Sequence, residues 1–201
     1  LTQRLHRTLQ TSRVLNIVGP RQTGKTTLVR DMIKAARFLN LDDVGMQSAL
    51  TLDPFGQLSA VAAEAEASKL PIVIDEVQRL PQITLALKRI VDHNHRPGQF
   101  ILTGSSDVFS MPKALDSLAG RVSTLTLRPL SSSEIRRMGP CGLLNIVGAE
   151  SKDLVAHLPK PLAYKRSDVI ELIVRGGFPE IRPLDGIDRM ERYESYIGSI
   201  V

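Results

Sequence analysis

The chain has 201 residues and a mass of 22.1 kDa, enough for one domain and part of a second. Hydrophobic residues make up 42% and charged residues 23%, an ordinary globular balance that excludes a disordered, collagenous or low-complexity chain. No run approaches the roughly 18 apolar residues of a membrane helix, so membrane insertion is not expected. The net charge is +5 and aromatic residues make up only 4%, which argues against a base-stacking surface for nucleic acid.

The single cysteine, Cys141, excludes an intramolecular disulfide and fits a reducing, cytoplasmic setting. Charge is uneven. Residues 1–40 carry eight Lys/Arg against one acid, +7, and residues 41–70 carry one against five, −4. The basic end could face a nucleic acid, but an amphipathic surface helix with Leu1, Leu5 and Leu9 four apart accounts for it better.

That helix is expected to end near Thr11–Ser12. Val14 to Val18 then reads as a buried parallel strand stopped by Gly19–Pro20. A helix from Lys25 to about Ala36 and a strand over 37–41 follow. Asp42 or Asp43 is placed to cap the next helix. Residues 54–68 are Ala-rich and helical, and 70–74 form a second buried strand ending at Asp75–Glu76. A helix begins at Pro81, with Ile83, Leu87, Ile90 and Val91 as its apolar stripe. Strands at 100–103 and 122–127 flank a helix over 112–119. Strands alternating with helices at this spacing argue for an α/β fold with a parallel sheet wrapped on both faces.

Beyond Leu130 helical signals dominate, with loops at 138–142 and 158–161. The expected division is a core of residues 1–130 and a helical, lid-like region of 131–201. The last segment, from Ile187 to Ile200, is expected to be a helix that runs off the chain with an apolar face in need of a partner.

Gly19-Pro20-Arg21-Gln22-Thr23-Gly24-Lys25-Thr26 matches G-x-x-x-x-G-K-[ST], the phosphate-binding loop, between a strand and a helix. Glycines let backbone N–H groups close around a phosphate, and the helix N-terminus adds partial positive charge. The expected nucleotide-binding residues are Gly19, Gln22, Thr23, Gly24, Lys25, Thr26 and Thr27. Lys25 brings a full positive charge, and the Thr26 hydroxyl can ligate Mg²⁺.

Asp75, ending the strand of Ile72-Val73-Ile74, can hold the same ion, and Glu76 can orient and deprotonate an attacking water. The pair favours hydrolysis of a nucleoside triphosphate over transfer to a metabolite. If the strand ending in Thr103-Gly104-Ser105-Ser106 lies between the other two, Thr103 or Ser105 would reach the γ-phosphate or the water. His93-Asn94-His95 reads as a solvated helix end, and Cys141 as a loop thiol.

GPRQTGKTTL, FLNLDD, PIVIDEVQRLP, ILTGSS and LAGRVSTLTLRPLSSSEI, in this order, resemble a bacterial family of AAA-type P-loop ATPases. In that family the ATPase domain precedes a C-terminal domain of uncharacterised function. The resemblance covers about residues 13–135, and RGGFPE at 175–180 resembles the start of the C-terminal part. It implies a five-stranded parallel sheet of order 5-1-4-3-2, ATP and ADP as ligands with Mg²⁺, and a longer protein than this chain. It also implies that Arg121 joins the catalytic group, reaching the γ-phosphate of a neighbouring subunit in a homo-oligomer, with Arg175 a looser candidate for a cis contact. A protein or nucleic-acid partner would engage the second domain. The rival readings are a nucleotide-gated binding module without turnover, a nucleic-acid-binding regulator and a small-molecule kinase.

Overall fold

The computed structural model describes residues 2–105, 118–138 and 164–200. The chain divides into two compact units, Leu1–Leu127 and Arg128–Val201. The first unit runs α1 (Thr2–Thr11), β1 (Val14–Val18), α2 (Lys25–Met32), β2 (Arg37–Asn40), α3 (Val44–Leu52), α4 (Pro54–Glu66) and β3 (Ile72–Asp75). A 3-10 turn (Val77–Arg79), α5 (Ile83–His93), β4 (Phe100–Gly104) and β5 (Val122–Thr126) complete it. The five strands form one parallel sheet of order β2-β3-β4-β1-β5, the expected 5-1-4-3-2 read from the other edge.

Every residue of β1, β3 and β4 is buried, as near-continuous apolar runs predict for strands covered on both faces. Side chains alternate between the two faces. Val14, Ile72, Ile74, Phe100 and Leu102 pack with Leu50, Leu58 and Leu87 of α3, α4 and α5. Leu15, Ile17, Val73 and Ile101 pack on the other face with Leu5 of α1 and Val29 of α2. Each such side chain contributes roughly 1.5–3 kcal/mol on burial. Leu5 is thus the core anchor of α1, while Leu9 is only partly buried.

Local chemistry sets the boundaries. Asp43 caps α3, accepting from the N–H groups of Gly45 (2.8 Å) and Met46 (3.1 Å). Asp42 instead pairs with Arg79 at 2.9 Å. Asp53 caps α4 through the Gly56 N–H, with Pro54 in the first turn. Helix α2 stops at Met32, short of the expected Ala36, because Ile33 is already extended and Ala36 donates to the Pro71 carbonyl as the chain enters β2. Helix α5 starts at Ile83 rather than Pro81, because residues 77–79 turn in 3-10 geometry after β3. The expected helix over 112–119 falls outside the described residues except at its end.

In the second unit, α6 (Ser132–Ile135) opens with a capping box in which Ser131 and Glu134 satisfy each other. Helices α7 (Arg166–Arg175) and α8 (Gly186–Gly198) follow. The ring of Phe178 lies against Tyr193 and Tyr196, and the Tyr193 hydroxyl donates to the Arg175 carbonyl at 3.0 Å. Helix α8 is closed at its end by the Ser199 N–H, which donates to the carbonyls of Ser195 and Tyr196. The expected loops at 158–161 and around Cys141 lie outside the described residues. Among the described residues no helix is long and apolar enough to cross a membrane.

Candidate nucleotide site

The site begins where β1 leaves the sheet. Gly19 is buried with φ +155°, and a Cβ there would lie 2.0 Å from the Leu127 carbonyl oxygen. Only glycine allows the loop to turn against the end of β5, where the Leu127 N–H donates to the Val18 carbonyl at 2.7 Å. Gln22 (φ 60°) and Gly24 (φ 86°) both take left-handed conformations, and the Thr23 hydroxyl donates to the Pro20 carbonyl at 2.9 Å. Left-handed residues interleaved with right-handed ones turn successive N–H groups inward, forming an anion-binding concavity.

Gly24 is also the N-cap of α2. It has no side chain to satisfy the first helical N–H groups, and a Cβ there would meet nothing within 4 Å. The exposed N-terminus of α2, with Thr27 in its first turn, is therefore open to an anion. Lys25 is buried, and its ammonium donates to the carbonyls of Gly19 (2.9 Å) and Pro20 (2.8 Å). Burial lowers its pKa from the ordinary lysine value, with the carboxylates of Glu76 and Asp75 pulling the other way.

Two further strands end at the same edge. The register sets Ile74 of β3 beside Leu102 of β4, and Gly104 of β4 beside Val18 of β1. Asp75, buried, receives three hydrogen bonds: from the Thr26 hydroxyl at 2.9 Å, from the Glu76 N–H at 3.1 Å, and from the Thr103 hydroxyl. Glu76 turns the chain in a left-handed conformation (φ 56°, ψ 42°). Its carboxylate accepts from the Gln78 amide nitrogen, which also lies 3.2 Å from the Ser105 hydroxyl.

The structure thus gathers Gly19, Gln22, Thr23, Gly24, Lys25, Thr26 and Thr27 with Asp75, Glu76, Thr103 and Ser105 at the carboxyl ends of β1, β3 and β4. That is the edge at which open α/β sheets bind ligands. It separates two residues whose roles were open: Thr103 donates to Asp75, while Ser105 shares the Gln78 amide with Glu76. Gln78 carries no signal of its own in the sequence: it sits beside Arg79 in the Val77–Arg79 turn, and nothing in the linear pattern marks it out two places after Glu76.

Arg121 stands apart from this group. It precedes β5, whose Val122 is level with Val14, so it lies at the opposite edge of the sheet, about 13 Å of strand away from Val18. Its guanidinium pairs with Asp92, with Nη2 at 3.0 Å from Oδ2, and Arg13 joins the same carboxylate. The chain's own loop therefore does not receive Arg121. Arg175 lies in the second unit and pairs with Glu171 (2.9 Å) and Asp185 (3.1 Å).

A glycine-bounded loop between an inner strand of a parallel sheet, β1, and a helix N-terminus, closed by a threonine–aspartate hydrogen bond, defines a P-loop NTPase fold. The chain belongs to the AAA domain family, whose model matches residues 11–136. Over 141 residues it is 37% identical to uncharacterised proteins of Mycobacterium tuberculosis and Mycobacterium bovis. The match covers 67% of this chain but only 30% of the length of those relatives. In fold it is similar to a Walker-type ATPase of Pyrococcus abyssi, with a TM-score of 0.55 at 15% identity, covering 99% of this chain and 71% of that one.

Proposed function

We propose that the chain binds ATP and hydrolyses it to ADP and phosphate, using the released free energy to drive a conformational or assembly change. The observation that carries this reading is the 2.9 Å hydrogen bond from Thr26 to Asp75, with Glu76 next in sequence. It brings the loop's hydroxyl and the strand-end carboxylate to one point at the mouth of the phosphate cradle.

The donor set fits Mg²⁺, a hard ion that takes few protein oxygens and keeps the rest of its shell for water and phosphate. Thr26 and Asp75 would hold it, and it would supply neutralising charge to the phosphate oxygens. Lys25 would exchange its bonds to Gly19 and Pro20 for phosphate oxygens, regaining in charge pairing what burial costs its ammonium. The N–H groups at the start of α2 would seat the β-phosphate.

Glu76 would take a proton from water as the water oxygen bonds to the γ-phosphorus. The bond from phosphorus to the bridging oxygen breaks, and that oxygen leaves with ADP. Arg121 has no part in this reading of the chain's own site. Exchange of Glu76→Gln tests it: turnover should fall by about 10²–10⁴-fold while ATP affinity stays within a few-fold. Turnover undiminished in the variant would contradict it.

A further inference from the structure

We infer that Gln78 is a positioning residue for the water-activating Glu76, tying its carboxylate to Ser105 at the end of β4. This rests on the hydrolysis proposed above and adds to it a residue that lies outside the phosphate loop and both acidic positions.

The geometry is built from the backbone upward. Glu76 leaves β3 in a left-handed conformation, and residues 77–79 follow as a 3-10 turn closed by the Arg79 N–H on the Glu76 carbonyl at 2.9 Å. Val77 is fully buried and pins that turn to the core. The turn brings the Gln78 side chain back onto the residue two places before it. The amide nitrogen then donates to Glu76 Oε2 and lies 3.2 Å from Ser105 Oγ. The orientation of the amide is chemically fixed, because its reversal would set an oxygen against a carboxylate oxygen.

The other end of the amide is informative as well. Gln78 Oε1 is buried and has no hydrogen-bond partner among the described residues. A leucine at this position would fill the same space with no unpaired oxygen, so packing alone does not account for a glutamine. A donor shared by the Glu76 carboxylate and a hydroxyl on the neighbouring strand does account for it. Glu76 has three side-chain torsions, and without this tether its carboxylate would sample orientations that do not face the water.

The test is steady-state ATP hydrolysis by Gln78→Leu, near in volume but without the donor, and by Gln78→Glu, of the same shape but with an acceptor facing Glu76. Both should lower kcat by about 10–50-fold and leave KM and ATP affinity within about threefold. Ser105→Ala keeps the turn intact and loosens only the far end of the tether, so it should lower kcat by a smaller factor, about 2–5-fold. In single-turnover measurements on Glu76→Gln, adding Gln78→Leu should change the residual rate by less than about twofold, because the two residues act as one unit. An active wild type matched in kcat by Gln78→Leu, or a loss that appears in KM instead, overturns the inference alone. A wild type that binds ATP without turnover overturns the hydrolytic reading and the inference with it.

Discussion

The Thr26 hydroxyl donates to Asp75 Oδ2 across 2.9 Å, joining two segments 49 residues apart in the chain. Asp75 also accepts from Thr103 and from the Glu76 N–H, so one carboxylate ties the phosphate loop, β3 and β4 together. The same carboxylate is therefore a structural hub and the centre of the proposed metal site.

Removing the hydroxyl should separate these roles. Thr26→Val, which keeps the branched shape, should weaken Mg²⁺-dependent ATP binding by about 10-fold and lower stability by about 1 kcal/mol. Thr26→Ser should restore most of both. Titration of ATP affinity against Mg²⁺, beside thermal melts of the two variants, checks this directly.

Gly19 offers a test of the loop's backbone independent of chemistry. A methyl group there would overlap the Leu127 carbonyl oxygen, and backbone cannot yield as a flexible side chain can. Gly19→Ala should cost about 2–4 kcal/mol in stability, because either the loop or the end of β5 must move. Denaturant unfolding measures this. Gly24→Ala, at a position open to solvent, should be milder in stability and cost about 1 kcal/mol through its positive φ alone.

The far edge of the sheet carries a pH-dependent pair. The hydrogen bond from Arg121 holds the Asp92 pKa below the ordinary carboxylate value and raises that of Arg121. A depressed carboxylate pKa contributes stability that is present above the unfolded value and is lost as pH falls through the folded one. Arg121→Ala should therefore lower Tm slightly at neutral pH, by about 2 °C for a surface pair, with the difference shrinking below about pH 4. Its ATP affinity should stay within about twofold of wild type, because Arg121 lies at the edge opposite the loop.

The sequence made the core of this fold legible wherever one physical signal dominated. Buried runs such as Val14–Val18 and Phe100–Thr103 mark central strands because both faces are covered, and the loop from Gly19 to Thr26 has a spacing that backbone geometry demands. Boundaries were less legible where two signals compete. Residues 33–36 have helical composition, but pairing of β2 with β3 draws them out of α2. Of the site, Asp75 and Glu76 announce themselves by following an apolar strand. The division of labour between Thr103 and Ser105 depends on register across two strands, and the reach of Gln78 depends on a left-handed turn at Glu76, neither of which a linear pattern encodes. The pairing of Arg121 with Asp92, 29 residues away, is likewise absent from any linear pattern.

ATP hydrolysis at this loop is decided by ATP binding and phosphate release, with and without Mg²⁺, by this chain and by Lys25→Ala. The wild type should bind ATP and release phosphate in a Mg²⁺-dependent way. Lys25→Ala should bind ATP about 100-fold more weakly, the loss of a charge-assisted contact, with release at background. A well-folded wild-type chain that binds no ATP, or a Lys25→Ala variant that binds and hydrolyses it as the wild type does, would contradict hydrolysis at this loop.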